Sequence, residues 1–471
     1  MRTGRIAGAV RLFFFCFGLF CFAQPVAAQP AVPPSPPSTA APMMQAVELP
    51  PRAAPTADIQ VGSLPVLNEV PDFDAQAATA RYLAQVSGEA RAKSDAYYEG
   101  GYWLQLVDVL YALAVAGLLL WTGLSTGIRD WAAERTHSRS AQVMLYAGVY
   151  VVLVTAAGLP LALYEGFFRE HAYGLSNQSV LQWLGDFGIQ FALTLAASII
   201  LLPLLYIVIR TARESWWLWA AGFAIAFQVL AVVVFPIFIA PLFNSYTPLP
   251  DSPLKSQILT LARANDVPAD NVWLMDASRQ SSRISANVSG FLGTTRIALN
   301  DNLLEQGTPD EVLAVMGHEI GHYAMGHTTR LLLLTGLMTI IGFGFVHLGY
   351  LAACDLFGGQ WQVRKVSDVA GLPLMAALYS LFLFLATPAL NSISRTTEHQ
   401  ADLFGLNAVR KPDAFATVML KLSAYRKLEP GHWEELVFFD HPSGRTRIET
   451  AMRWKKEHIA DPDIRTTARL P

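Results

Sequence analysis

Long apolar runs separated by polar stretches organise this chain. Six such runs lie at about residues 104–123, 142–163, 188–209, 216–240, 331–352 and 370–390. Each is close to the roughly 20 residues that a helix needs to cross a bilayer. Prolines interrupt or end several of them, at Pro160, Pro203, Pro236 and Pro388. The six runs predict a mainly α, polytopic membrane protein with six spans. The prolines predict bent helices, which often border a cavity.

The polar stretches divide the chain into regions. We predict an N-terminal helical region with four spans at 70–240, a first polar block at 241–330, two spans at 331–390 and a second polar block at 391–471. The first block mixes both kinds of secondary structure. Its patterns predict a helix at 255–265, a strand at 272–275, a hairpin at 284–291 and 296–299, and a closing helix from 309.

The N-terminal residues have the features of a secretory signal. Arg2, Arg5 and Arg11 precede a short apolar core, and Val26-Ala27-Ala28 is a plausible cleavage site. Residues 1–28 are therefore a signal peptide or an uncleaved signal anchor, and the shortness of the apolar core favours cleavage. Residues 29–69, rich in proline and alanine, are predicted to be a linker.

Composition agrees with a membrane protein. The 471 residues are 53% hydrophobic and 15% charged, which is low for a soluble domain. The formal net charge of −3 gives no sign of a nucleic-acid partner, and we expect none. Three cysteines, two of them in the N-terminal apolar core, exclude a disulfide framework.

The first polar block ends in an HExxH motif formed by His318, Glu319 and His322. Residues four apart share one face of a helix, so the two histidines can bind one metal ion, and Glu319 can activate a water molecule. Thr308-Pro309-Asp310-Glu311 is typical of a helix start, which places the motif on a helix. The alternative is a pair of surface histidines that bind nothing.

Two further positions bear on the metal site. A longer HExxHxxGxxH motif is excluded, because position 328 is Thr328. His327 is nine residues from His318, so a continuous helix would place it on roughly the opposite face. We therefore expect His327 to be a surface histidine or an outer partner of the site.

A catalytic zinc usually has three protein ligands, so the third must come from elsewhere. The best candidate lies just after the last apolar run. Glu398 and Asp402 are four residues apart, and Asn391 shares their helix face. Such a polar stripe suggests a wet cavity, but it could equally be a solvated helix end in which Arg395 pairs with Glu398.

Several motifs together resemble one family, the integral-membrane HExxH zinc metallopeptidases that include the type I CAAX prenyl endopeptidase and, more distantly, the bacterial heat-shock membrane protease. The similarity covers roughly residues 85–455. The matching stretches are Leu159-Pro160 with Tyr164, Glu170-His171 and Gly174; 239–250; 287–291; 296–301; the HExxH motif; Ser394-Arg395, Glu398 and Ala401-Asp402; and His441-Pro442 with Arg447.

The resemblance implies a role for each matching residue. His318, His322 and Glu398 would ligate one Zn²⁺, and Glu319 would be the general base. Asp402, Arg447 and Asn391 would lie around the ligands, and His441 would stabilise the oxyanion. Asn287 would lie on an edge strand that pairs with an extended peptide substrate. Without the resemblance, His441-Pro442 would be a turn before a helix, and Asn287 an ordinary hairpin residue.

The resemblance also implies a fold and a function. The two polar blocks would form a small α+β, gluzincin-type zinc peptidase domain, split around the last two spans. The function would be that of a membrane-embedded zinc metalloendopeptidase, whose partners are a protein or peptide substrate and the lipid bilayer. A non-catalytic scaffold and a transporter are the alternatives, and the oligomeric state stays open.

The orientation expected from charge differs from that of the family. The prenyl endopeptidase has seven spans and faces the cytosol. Here, basic residues concentrate in alternate loops: Arg129, Arg135 and Arg139, then Arg210 and Arg213, then Arg364 and Lys365. The positive-inside rule makes these loops cytoplasmic. It therefore places the HExxH block on the periplasmic face of a bacterial inner membrane.

Overall fold

Helices dominate the computed structural model, which describes residues 73–289, 295–363 and 365–465. The α-helices are α1 (Ala75–Leu83), α2 (Gly88–Trp121), α3 (Leu124–Arg135), α4 (Arg139–Leu163), α5 (Val180–Ala212), α6 (Trp216–Val234), α7 (Pro253–Ala264), α8 (Asp301–Gln306), α9 (Pro309–Ala324), α10 (His327–Trp361), α11 (Leu372–Val409), α12 (Pro412–Leu422), α13 (His432–Phe438), α14 (Gly444–Glu457) and α15 (Pro462–Arg465). The strands are β1 (Tyr246–Pro248), β2 (Val272–Met275), β3 (Ala286–Ser289) and β4 (Arg296–Asn300). The predicted signal segment 1–28 and linker 29–69 lie outside the described residues.

The described residues contain five continuous helical stretches that are long and apolar enough to cross a membrane. The third of them, Val180–Leu242, has 63 residues: α5 and α6 are joined by the 3-10 turn Arg213–Ser215, and α6 continues into a π-helical and a 3-10 segment. Arg213 departs from helical geometry with φ 45° and ψ −104°, and the two helices pack against each other. Helices joined by one short turn can pack together only if the chain reverses. The predicted number of six spans corresponds to α2, α4, α5, α6, α10 and α11, and it stays a prediction.

The prolines of the apolar runs accompany irregular helix geometry at two places. Pro160 lies one turn before a π-helical segment, Tyr164–Arg169, and Pro236 lies inside another, Phe235–Ile239. Proline lacks the N–H that donates to the carbonyl four residues earlier in an α-helix. A local change from α-helical to π-helical hydrogen bonding near a proline is therefore expected. Pro203 and Pro388 lie inside α5 and α11.

The first polar block contains a four-stranded sheet of order β1-β2-β4-β3. The predicted hairpin is confirmed, because β3 and β4 pair antiparallel with Asn287 opposite Ala298. Strand β2 lies parallel to β4 on the other side. Strand β3 is therefore an edge strand with one side unpaired in the sheet. Apolar side chains of the sheet, α9, α12 and α14 share one core, whereas the membrane helices form a second core.

Contacts between loops group them on two sides of the helical bundle. On one side, Arg129 after the first span makes a 2.7 Å ion pair with Asp368 before the last span. On the other side, Ser176 forms a β-bridge with Ser281 of the first polar block. This grouping follows the alternation expected from the basic loops. The assignment of the Arg129 side to the cytoplasm stays a prediction.

A buried ion pair fixes the edge strand to the membrane region. Glu170, 1% exposed, lies 2.7 Å from the guanidinium of Arg283, three residues before β3. The hydroxyl of Tyr97 donates to Glu170 over 2.7 Å and accepts from Arg283 over 2.8 Å. Because a buried charge is costly unless it is paired, these three side chains hold one relative arrangement of α2, Glu170 and β3.

Candidate metal centre

The HExxH motif lies on α9, as predicted. Thr308 caps this helix reciprocally: its hydroxyl accepts from the Glu311 N–H, and its own N–H donates to the Glu311 carboxylate over 2.7 Å. The capping box and Pro309 at the first helical position fix where the helix begins. Helical spacing then places the rings of His318 and His322 edge-to-face, with centroids 4.7 Å apart and planes at 78°.

Two glycines let α9 and α11 approach closely at the site. A Cβ atom added to Gly405 on α11 would lie 2.8 Å from the backbone nitrogen of His318. A Cβ atom added to Gly317 on α9 would overlap the side chain of Val409. Only hydrogen atoms fit between the helices here. This close contact lets the short side chains Glu398 and Asp402 reach the histidines of α9.

Donor atoms of three side chains, His318, His322 and Glu398, converge between the two helices. The Nε2 atoms of His318 and His322 lie 3.1 Å apart. The carboxylate of Glu398 places one oxygen 3.2 Å from the first of these nitrogens and the other 3.6 Å from the second. Donors at about 2.0–2.1 Å from one tetrahedral zinc ion are separated by about 3.3–3.4 Å. The donor set and its spacing therefore fit a zinc ion. Three protein ligands would leave the fourth position of a tetrahedral zinc free for water.

An outer layer of charged residues holds His318. Its Nδ1 atom is 2.8 Å from the carboxylate of Asp402, which is fully buried. Arg447, 2% exposed, donates its Nε–H to the other Asp402 oxygen over 2.8 Å. The carboxylate of Asp402 fixes the ring orientation and tautomer of His318, and the guanidinium of Arg447 balances the negative charge of that carboxylate. The structure thus brings the predicted residues Asp402 and Arg447 together behind His318.

His441 also reaches the centre. Its Nε2 atom lies 3.2 Å from a Glu398 oxygen, and its Nδ1 atom lies 2.9 Å from the carboxylate of Asp440. Sequence reasoning missed Asp440. The signal was available, because an acid directly before a site histidine is a natural partner for the ring nitrogen that faces away from the site.

Burial and charge shift the proton affinities in the centre. Burial raises the pKa of Glu319, although the neighbouring His318 opposes the shift. A raised pKa suits a carboxylate that must accept a proton near neutral pH. Burial alone would lower the pKa of His318, but its hydrogen bonds to Asp402 and Glu398 outweigh burial and raise it to about 9. A metal ion at Nε2 must displace this proton, so metal affinity should fall as the pH decreases.

The expected position of His327 on the opposite helix face is wrong. Helix α9 ends at Ala324, Gly326 adopts a left-handed conformation with φ 64°, and α10 begins at His327. This turn brings the Nδ1 atom of His327 within 3.0 Å of the Nδ1 atom of His322. His327 is 2% exposed, so it is an outer partner of the site rather than a surface residue. Gly326 was the available signal, since glycine commonly ends a helix.

Asn391 and Asn287 are the two remaining predicted site residues, and neither belongs to the group whose donor atoms converge. Asn391 donates its side-chain N–H to the carbonyl of Val437 over 2.7 Å, so it holds the segment that leads to His441. Arg395 binds two carbonyls of the same segment, Glu435 and Phe439, rather than Glu398. Asn287 lies on the edge strand β3, and its side-chain oxygen is buried.

An apolar pocket adjoins the centre. It lies between α9, α12 and the start of β3, and His318, Glu319 and Arg447 form its polar rim. Its apolar walls are contributed by Ile284, Ala286, Leu303, Ala314, Val315, Phe415, Val418, Met419 and Leu422. A side chain that enters this pocket lies beside Glu319.

We predict that Gly405→Ala destabilises the protein and weakens metal binding. The added methyl group meets backbone atoms of α9, which cannot yield as a flexible side chain can. Overpacking of this kind costs about 1–3 kcal/mol, more than the roughly 1 kcal/mol that alanine gains in helix propensity. Thermal unfolding in detergent and metal content measure both effects. Gly185→Ala is the matched control, because an added Cβ there has open space; equal melting temperatures for the two variants would contradict the close contact.

Comparisons with known proteins agree with this geometry. The family model for peptidase family M48 matches residues 248–455, and the model for the CAAX prenyl protease N-terminal region, described as five membrane helices, matches residues 75–245. The chain is 29% identical over 336 residues to an uncharacterized metalloprotease of Bacillus subtilis, YhfN, covering 71% of this chain and 79% of that protein. It is 31% identical over 287 residues to CAAX prenyl protease 1 of Saccharomyces cerevisiae, covering 57% and 62%.

The fold has a solved counterpart. The crystal structure of Ste24p from S. mikatae matches with a TM-score of 0.67 at 24% identity, over 80% of this chain and 94% of that one. The apolar helices and the HExxH centre define an integral-membrane metalloendopeptidase. The chain matches the models of peptidase family M48 and of the CAAX prenyl protease N-terminal region, and the proteins that it is similar to include CAAX prenyl protease 1. The predicted mainly α membrane fold, the enzyme class and the family resemblance are therefore confirmed, whereas the number of six spans stays a prediction.

Proposed function

We propose that the metal of this endopeptidase is zinc, held by His318, His322 and Glu398, and that Glu319 is the general base. The observation that carries the proposal is the convergence of three side chains: the Nε2 atoms of His318 and His322 on α9, the helix that also bears Glu319, and the carboxylate oxygens of Glu398 on α11, at distances of 3.1–3.6 Å. Zinc at this position would polarise the scissile carbonyl and lower the pKa of a water molecule.

The protein groups around the metal position have separate tasks in this mechanism. Glu319 accepts the proton of the attacking water and passes it to the leaving amine. His441, held by Asp440, donates a hydrogen bond from Nε2 to the oxyanion that forms at the carbonyl. Asp402 and Arg447 keep the ring of His318 in one orientation.

The substrate we propose is an extended peptide with an apolar side chain next to the cleaved bond. The free edge of β3 offers backbone hydrogen bonds to such a peptide, and Asn287 lies on that edge. The apolar pocket beside Glu319 suits an aliphatic side chain. The names of the relatives suggest a prenylated peptide, whereas the signal segment and loop charges favour an exported one.

Metal replacement tests the proposed function. Purified protein should contain about one zinc ion per chain and cleave peptides with an aliphatic residue after the cleaved bond. Removal of zinc by a chelator should abolish cleavage, and zinc should restore it where magnesium does not, because imidazole ligands do not suit magnesium. Cleavage that survives complete removal of zinc would refute the proposed metal. Prenylated and unmodified versions of one peptide separate the two substrate classes.

We also propose that the centre faces the periplasm of a bacterial inner membrane. The basic loops lie together on the side of Arg129 and Asp368, opposite the first polar block. Reporter fusions after residue 471 test this orientation. Alkaline phosphatase, which is active only outside the cytoplasm, should be active there, and a fluorescent protein that matures only in the cytoplasm should be dark. The reverse pattern would contradict the proposed orientation.

A further inference from the structure

His327 is a buried histidine that the mechanism above leaves without a task. It is the first residue of α10, one of the long apolar helices, and it follows the left-handed residue Gly326. Its ring meets that of His322 edge-on, with centroids 5.1 Å apart and planes at 73°. The two Nδ1 atoms lie 3.0 Å apart, which is hydrogen-bond distance.

The direction of this hydrogen bond follows from the other side of the His322 ring. Nε2 of His322 points at the metal position, 3.1 Å from Nε2 of His318. A neutral imidazole that gives one nitrogen to a metal carries its proton on the other. The Nδ1–H group of His322 therefore donates, and the Nδ1 lone pair of His327 accepts.

We infer that His327 is a positioning residue that holds the ring of His322, so that its Nε2 atom stays aimed at the metal. The inference rests on the proposed zinc site. The two ligand histidines are then held in the same manner at Nδ1, one by the carboxylate of Asp402 and the other by a neutral imidazole.

The surroundings of His327 make this contact rigid. The ring is 2% exposed, whereas the side chain of His322 is 22% exposed. One turn along α10, Arg330 donates to the side chain of Gln400 over 2.9 Å, and Gln400 is two residues after the ligand Glu398 on α11. The start of α10 is thus tied to the helix that supplies the third ligand. The buried ring of His327 thus gives the partly exposed ring of His322 a hydrogen-bond partner in a fixed position.

A pair of similar-sized substitutions tests the inference. Asparagine at 327 offers a side-chain oxygen near the position of Nδ1, whereas leucine has a similar size and no acceptor. We expect His327→Leu to weaken zinc binding by about 10–100-fold in competition with a chelator, as loss of an outer partner does at other metal sites. His327→Asn should retain most of the affinity. His137→Asn, which changes an exposed histidine, should bind zinc like the wild type.

A second readout separates positioning from general damage to the fold. Cobalt in place of zinc gives a visible spectrum that reports ligand geometry, and it should change in His327→Leu and not in His327→Asn. The melting temperature of the zinc-free proteins should be the same. If the leucine variant does not fold, His327→Phe keeps the ring volume without the acceptor and should show the same loss.

The possible results are distinct. Wild-type affinity and spectrum in the leucine or phenylalanine variant would overturn the inference and leave the proposed function intact. Equal losses in the leucine and asparagine variants would also overturn it, because packing rather than the hydrogen bond would then matter. A wild-type protein that binds no zinc would refute the proposed function, and with it the inference.

Discussion

Glu319→Gln should lower kcat for peptide hydrolysis by about 10²–10⁴-fold, the usual contribution of general acid–base catalysis, while the zinc content should stay that of the wild type. Glutamine has the size of glutamate and cannot accept the proton of the attacking water. We expect the metal to be unaffected, because the proposed donor atoms belong to His318, His322 and Glu398. Turnover of a fluorogenic peptide and metal analysis on the same preparation measure both quantities.

The control for this variant is Glu305→Gln, which removes an exposed carboxylate from the same block. It should leave both rate and zinc content unchanged. Glu319→Asp keeps the base but withdraws it by one methylene group, so its rate should lie between those of wild type and glutamine variant. A glutamine variant with the wild-type rate would mean that another group takes the proton.

Local sequence signals were sufficient for the helix that bears this base. The capping residues Thr308 and Glu311 identify where α9 begins, and the spacing of four identifies the shared face of His318 and His322. The apolar runs likewise located the long helices, since their composition is unlike that of the polar blocks. Such features depend on neighbours along the chain, so sequence alone carries them.

Features that depend on contacts distant in sequence needed more than local patterns. Spacing left Glu398 as either a ligand or part of a solvated helix end, and the resemblance to a family decided between them. The physical reason for the outcome is the contact between α9 and α11 at Gly317 and Gly405, which brings Glu398 to the histidines. No local sequence pattern around either glycine predicts such a contact between helices.

His327 was misplaced because a helical period was extended through a break. Nine residues at 3.6 per turn put it opposite His318 only if the helix continues, and Gly326 ends that continuity. The alternative of a solvated helix end paired Arg395 with Glu398. The structure does not follow it, because the guanidinium of Arg395 donates to the carbonyls of Glu435 and Phe439. Exposed charge pairs on one helix are weak, so tertiary partners easily replace them.

Glu398→Gln should have the opposite signature to the base variant, because it loses the metal together with the activity. Glutamine keeps the volume but removes the negative charge and offers zinc only a neutral amide oxygen. Loss of a direct ligand should exceed the roughly 10–100-fold effect of losing an outer partner. We therefore expect no zinc in the purified variant and peptide hydrolysis at background level.

The contrast between the two variants is the strongest test of the centre, since each removes one carboxylate of the same size and charge. Glu319 and Glu398 both lie beside His318, so a general electrostatic effect on the histidines would lower zinc binding in both. Separate roles require that zinc is retained in one and lost in the other. A Glu398→Gln protein that keeps a full equivalent of zinc would show that the third ligand lies elsewhere. Asp440 and His441 would be the next residues to replace, because His441 is the nearest other donor, 3.2 Å from the same carboxylate.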